Sequence, residues 1–152
     1  MNGREILLVE DSADDAELTR IAFAEAGIPN RLVVATDGAD ALDYLFGRGQ
    51  WQGRDIDQQP ALMLLDLNLP KLDGREVLQA IRGDVRTRGL PVVVLTTSVE
   101  PFDVEASYAL GVNSYIRKPV DFGEFVSAVR QVGQYWLVLN QPRTAWARAA
   151  QP

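Results

Sequence analysis

A small set of side chains at the ends of apolar runs has the types and spacing for phosphoryl chemistry. Asp66 ends the run Ala61-Leu62-Met63-Leu64-Leu65, and Glu10 and Asp11 follow Ile6-Leu7-Leu8-Val9. Thr96, with Thr97 beside it, ends Val92-Val93-Val94-Leu95, and Lys118 comes just after Ser114-Tyr115-Ile116. Ligands of open α/β sheets bind outside the carboxyl ends of the strands, so each of these residues stands where chemistry is done. Acids gathered at one spot repel unless a cation compensates, and hard oxygen donors suit Mg²⁺. Asp11 and Asp66 are the candidate direct ligands, the backbone carbonyl of Asn68 is a third, and Glu10 would act through a water. Asp66 would attack phosphorus as a nucleophile and form an aspartyl phosphate. Mg²⁺, the Lys118 ammonium and the Thr96 hydroxyl would each take one phosphoryl oxygen, with Thr97 a further candidate.

Taken singly, each residue has an ordinary reading. Glu10 and Asp11 could be acids favoured at a helix start, Asp66 a turn residue, and Thr97 or Ser98 a helix cap. A lone lysine is a surface lysine. The combination, in chain order, is what points to a site.

Positioning these residues requires parallel strands with crossover helices between them. Residues 5–9 read as a strand buried on both faces, followed by a helix from Ala13 to Ala26 capped by Ser12 and stopped by Gly27. Its expected core stripe is Ala16, Leu18, Ile21, Ala22 and Phe23. Leu32–Ala35 is a second strand, and the next helix carries Ala41, Leu42, Leu45 and Phe46. Residues 47–60 are polar and glycine-containing and read as a long loop. The Asp66 strand, a helix near 74–82, the Thr96 strand, a helix near 101–110 and the Tyr115 strand follow. Asp121 opens a last helix that can run to Leu139, with Phe122, Phe125, Val126, Val129, Val132, Trp136 and Leu137 at helical spacing. Such alternation predicts an α/β fold with a doubly wound, five-stranded parallel sheet. One domain spans 1–140, and 141–152 is a C-terminal extension.

Composition removes several alternatives. The chain of 152 residues contains no cysteine and no histidine, so it holds no disulfide and cannot be a phosphohistidine carrier. A net charge of −6 argues against binding nucleic acid. No charged leader or membrane-length apolar stretch is visible, so a soluble, cytoplasmic protein without a membrane partner is expected. No Gly-x-Gly-x-x-Gly follows the first strand, which disfavours a dinucleotide site.

Glu10-Asp11, Asp66 with Leu-Asn-Leu-Pro and Asp73-Gly74 after it, Thr96, and Lys118-Pro119 together resemble the receiver domain of two-component response regulators. The resemblance covers roughly residues 4–138. It implies a CheY-like sheet of strand order 2-1-3-4-5 and transfer of phosphate to Asp66 from the phosphohistidine of a sensor histidine kinase, with Mg²⁺ bound. It also implies that Lys118 contacts the phosphoryl group and that the Lys118–Pro119 peptide is cis. A further implication is a switch in which Thr96 moves towards the phosphoryl group and Tyr115 turns inward, rearranging the face made by the fourth helix, fifth strand and fifth helix. The run from Asn113 to Phe122, the loop at 47–60 and the extended C-terminus are similar to small stand-alone receivers that serve phytochrome-type kinases. The loop lengthens the separation of Asp11 and Asp66 beyond the family's usual, at small cost in stability.

The end of the last helix is apolar on more than one side, through Tyr135, Trp136, Val138 and Leu139, and Trp146 lies beyond. Either the tail folds back on its own domain or the chain is a homodimer. The dimer or partner face expected here comprises Tyr108, Phe122, Tyr135, Trp136, Val138 and Leu139, flanked by Arg143 and Arg148. Trp51 marks the 47–60 loop either as a surface excursion or as a kinase contact, and the sequence does not choose. The leading functional expectation is a receiver without an attached output domain, catalysing only its own phosphorylation and dephosphorylation. An aspartyl-nucleophile phosphohydrolase is the alternative from the enzyme class, although that class wants a second aspartate at position 68. A dimeric scaffold that never takes phosphate is the third.

Overall fold

Short runs of branched and aliphatic residues form the strands: β1 (Ile6–Val9), β2 (Leu32–Ala35), β3 (Leu62–Leu65), β4 (Val92–Thr96) and β5 (Ser114–Arg117). The computed structural model describes residues 4–67, 74–97 and 100–141. The strands form one parallel sheet in the order β2-β1-β3-β4-β5, as expected. The helices between them are α1 (Ala13–Glu25), α2 (Gly38–Phe46), α3 (Gly74–Gly83), α4 (Pro101–Ala109) and α5 (Phe122–Gly133). Ser12, Asp37 and Asp121 cap α1, α2 and α5, each side chain accepting from the backbone N–H three residues on. Among the described residues no helix is long and apolar enough to cross a membrane.

Successive strand residues face opposite sides of the sheet, so each central strand serves two cores. Leu7, Val9, Met63, Leu65, Val92 and Val94 pack with Ala41, Leu45, Val77 and Ile81 of α2 and α3. Ile6, Leu8, Leu62, Leu64, Val93 and Leu95 pack with Ala22, Phe23, Phe125 and Val129 of α1 and α5. At roughly 1.5–3 kcal/mol for each large apolar side chain, these two layers hold the strand ends in place.

Two stretches of helix differ from expectation. In α1 the buried stripe is Ala16, Thr19, Ala22 and Phe23, whereas Leu18 and Ile21 are 46% and 41% exposed. Thr19 can enter the core because its hydroxyl donates to the Asp15 carbonyl at 2.9 Å. The expected apolar spacing matched two neighbouring faces of the helix, and Ala16, Thr19, Ala22 and Phe23 take the one that meets the sheet. At the other end of the chain, α5 gives way to a wide π-helical turn over Gln134–Leu139. Phe122, expected in the stripe of α5, is partly exposed.

Residues 47–60 are not a simple polar loop. Gly47 ends α2 at a φ of 66°, where a Cβ would lie 2.9 Å from Ile56 Cγ2. A 3₁₀ turn, Gly49–Trp51, then lies along α2. The Trp51 ring meets Tyr44 edge-on at 4.9 Å, and its Nε1–H donates to Asp40 Oδ1 at 2.9 Å. The Arg54 guanidinium sits 3.8 Å from the centre of the Tyr44 ring and donates to the Tyr44 carbonyl. Buried Gln59 donates from Nε2 to the carbonyls of Leu45 and Ile56. The Tyr44 hydroxyl donates to Glu5. Burial and that bond push its pKa up to about 12.

Candidate functional site

The ladder of the sheet continues one residue past the strand ends, and this carries the acids to their places. Glu10 N–H donates to the Ala35 carbonyl at 2.9 Å, and Asp66 N–H donates to the Val9 carbonyl at 3.3 Å. Lys118 N–H donates to the Thr96 carbonyl at 2.7 Å. Residues widely separated in sequence thus meet at the carboxyl edge of β1, β3, β4 and β5.

Glu10, Asp11 and Asp66 each offer a carboxylate oxygen within 4.8 Å of the others. Glu10 is buried, Asp66 half-buried and Asp11 exposed. Burial raises the Glu10 pKa, opposed by the Lys118 ammonium and by the backbone N–H of Ser12. The Thr96 hydroxyl donates to Asp66 Oδ1 at 3.3 Å, and Thr96 is itself buried. Thr97 is exposed beside it. Three oxygen-rich acids and one hydroxyl, open to solvent through Asp11, are a donor set that hard divalent cations accept.

Lys118 reaches the same cluster, but its Nζ pairs with Glu10 Oε1 at 3.2 Å. It therefore neutralises the most buried of the three acids. The Lys118–Pro119 peptide is trans, and no described peptide is cis, which corrects the expected isomer. The trans form is the lower-energy one for an X–Pro bond by about 0.5–1 kcal/mol, so a resemblance of motif does not settle it. Asn68, with the carbonyl expected on the metal, and Asp73 lie outside the described residues.

Gly74 packs against the segment that follows Asp66. Its N–H donates to the Leu67 carbonyl at 3.2 Å, and a Cβ there would lie 3.0 Å from Leu67 Cα and 3.1 Å from the Asp66 carbonyl oxygen. A side chain here would require the backbone of Asp66 and Leu67 to give by a few tenths of an ångström.

The expected partner face divides. Tyr115 is half-buried against the α2–α3 layer, and Tyr108 is 49% exposed on α4. Tyr135, Val138 and Leu139 are exposed at the π turn, while Trp136 is half-buried against the α1–α5 layer with its ring edge-on to Tyr135. Phe122 lies at the opposite end of α5 from these. With Leu18, Lys118, Pro119 and Val120 it lines a groove of about 260 Å³. Val120 is 96% exposed. Leu18 and Val120 were not expected at the site; the available signal was an apolar residue off the Ala16–Ala22–Phe23 stripe and another directly after Lys118–Pro119. Arg143, Trp146 and Arg148 are outside the described residues.

Comparison with known proteins agrees with this geometry. Residues 6–130 match the family model described as the response regulator receiver domain. The probable methanogenesis regulatory protein FilR2 of Methanothrix harundinacea is 43% identical over 136 residues, covering 90% of this chain and 85% of that protein. The response regulator Rcp1 of a Synechocystis species is 41% identical over 132 residues, covering 87% of this chain and 88% of the relative. The structure of Rcp1 in its Mn²⁺-bound form superposes with a TM-score of 0.82, covering 93% of this chain and 99% of that one. The bacteriophytochrome response regulator RtBRR is 47% identical with a TM-score of 0.75, covering 97% of this chain and 89% of its own.

Proposed function

Because the chain belongs to the response regulator receiver family, we propose that Asp66 is the residue on which it takes a phosphoryl group from a sensor histidine kinase. The observation that carries this reading is the meeting of Glu10, Asp11 and Asp66 oxygens within 4.8 Å, with the Thr96 hydroxyl on Asp66 and the Lys118 ammonium beside them. An Asp66 carboxylate oxygen attacks phosphorus, the P–N bond to the kinase imidazole breaks, and the imidazole nitrogen keeps the electron pair.

Asp11 and Asp66 would hold a divalent cation, Mg²⁺ on this reading, with Glu10 acting through a water and the Asn68 carbonyl as a further donor. When bound, the cation neutralises charge on the phosphoryl oxygens. Lys118, paired with Glu10 in this structure, moves to a phosphoryl oxygen. The Thr96 hydroxyl turns from Asp66 to another oxygen, with Thr97 at the rim, and Tyr115 follows Thr96 inward.

Residues 1–140 form the receiver and 141–152 an extension. The molecule acts in the cytoplasm and catalyses only its own phosphorylation and dephosphorylation. The donor is a phytochrome-type kinase, a reading supported by the 47% identity to RtBRR, whose name carries that connection. The output is a homodimer through Tyr108 and the exposed Tyr135, Val138 and Leu139, supported by the apolar surface these residues leave in solvent.

Incubation with phosphoramidate and Mg²⁺ tests the assignment. Wild type should gain one acid-labile phosphate, and Asp66→Asn none. Full labelling of the variant would overturn Asp66 as the acceptor.

A further inference from the structure

Asp11 sits between two residues whose hydrogen bonds fix the backbone on either side of it. Before it, Glu10 N–H donates to the Ala35 carbonyl at 2.9 Å, continuing the ladder of β1 and β2. After it, Ser12 closes the start of α1. Its hydroxyl accepts from Asp15 N–H at 3.2 Å, and its carbonyl accepts from Ala16 N–H at 2.9 Å. Asp11 is itself exposed, so packing does little to hold its carboxylate. The direction of that carboxylate is set by the two peptides that flank it.

Ser12 also reaches back to the acids. Its N–H donates to Glu10 Oε2 at 3.3 Å, while Glu10 Oε1 pairs with Lys118 Nζ at 3.2 Å. Ser12 does both things because it stands in the extended backbone of a helix cap, with φ −89° and ψ 118°. The N–H points towards Glu10, and the hydroxyl bonds forward into α1.

Helix α1 gives the cap something firm to hold. Ala16, Thr19, Ala22 and Phe23 are buried, and the Thr19 hydroxyl donates to the Asp15 carbonyl at 2.9 Å. Asp15 is therefore held by Thr19 through its C=O and by Ser12 through its N–H. A run of hydrogen bonds leads from buried Thr19 through Asp15 and Ser12 to Glu10 and Lys118, and Asp11 lies within its span. The first N–H groups of any helix want a partner, so a cap alone says nothing of function. Here the cap adjoins a candidate ligand of the cation.

We propose that Ser12 is a positioning residue for the divalent cation: by capping α1 it fixes the peptide after Asp11 and presents the Asp11 carboxylate beside that of Asp66 before the cation arrives. This rests on Glu10, Asp11 and Asp66 being the cation site, and it makes the affinity of that site depend on a side chain that does not touch the cation. Without the cap the first turn of α1 frays, and Asp11 samples directions that do not meet Asp66. Binding then bears the cost of ordering it, which preorganisation removes.

Ser12→Ala and Ser12→Asn test this against wild type, with Mg²⁺ alone as the probe in isothermal titration calorimetry. Ser12→Ala should bind Mg²⁺ about fivefold more weakly, within the range that a lost cap covers. Ser12→Asn, whose side chain caps as well as serine, should bind within about twofold of wild type. Hydrogen exchange without metal should quicken at Asp15 in Ser12→Ala and stay near wild type in Ser12→Asn. A merely structural cap would lower the melting temperature of Ser12→Ala and leave its Mg²⁺ affinity unchanged, and that result would overturn the assignment. So would weakened binding that Ser12→Asn does not restore. Wild type that takes up no Mg²⁺ would overturn the cation site itself, whereas equal affinities in wild type and Ser12→Ala would remove only Ser12.

Discussion

At the scale of single residues, the site is a problem in charge balance. Glu10 is buried, and the Lys118 ammonium is its cation partner in this structure. A second cation in the cluster relieves the repulsion among Glu10, Asp11 and Asp66, so metal binding should stabilise the fold by mass action. Millimolar Mg²⁺ is expected to raise the melting temperature of wild type measured by circular dichroism. Asp11→Asn should lose most of that rise while melting normally without metal, because Asp11 is exposed. An equal rise in the variant would remove Asp11 from the ligand set. The chemistry of this site was legible from residue types, since only particular side chains can stand together at strand ends. The pairing of Lys118 with Glu10 was not, because two acids compete for one ammonium and only three-dimensional distance decides between them. The trans Lys118–Pro119 bond was equally invisible, as its sequence is compatible with either isomer.

At the scale of elements, close approaches and polar packing decide what a substitution does. A Cβ at Gly74 would press on Leu67 Cα and the Asp66 carbonyl, and both of those are backbone. Gly74→Ala should therefore cost about 1–3 kcal/mol in urea denaturation. It should also slow phosphorylation, since relief requires moving the Asp66 segment; normal stability with a normal rate would contradict the contact. Tyr44 reports on the packing of 47–60 against α2. Its folded pKa of about 12 exceeds the ordinary 10.0, so between those values the folded chain keeps a proton the unfolded chain has lost. Stability is fully present below pH 10 and falls as the pH rises towards 12. Relative to Tyr44→Phe, wild type should lose roughly 1–2 kcal/mol across that window in denaturant titrations. Parallel curves would show that Tyr44 does not titrate there. Strand spans and two helix starts could be read from apolar runs and from Ser12 and Asp121, while the Asp37 cap appeared only in the structure. The stripe of α1 could not, because Leu18 and Ile21 offer as good a helical spacing as the residues that are buried. Nor could the ordering of 47–60, where arginine, glutamine and tryptophan pack through hydrogen bonds that a polar composition conceals.

At the scale of the whole molecule, the apolar surface is split between two ends of α5. Leu18, Val120 and Phe122 line the groove beside Lys118, whereas Tyr135, Val138 and Leu139 lie at the far end. On the proposed reading the second patch meets another copy of the chain. Val138→Glu should then lower the mass found by light scattering towards that of one chain and leave phosphorylation by phosphoramidate unchanged. A mass equal to that of wild type would take the π turn out of the interface.

That turn has a consequence for how such a molecule can diversify. A helix advances about 100° with each residue, so gaining or losing one residue at the start of Gln134–Leu139 would turn the exposed Val138 and Leu139 to a new direction while leaving α5 seated on the sheet. The wide turn works as an indexing joint. A one-residue insertion or deletion there should re-aim the exposed side chains of the turn and leave the packing of α5 unaltered.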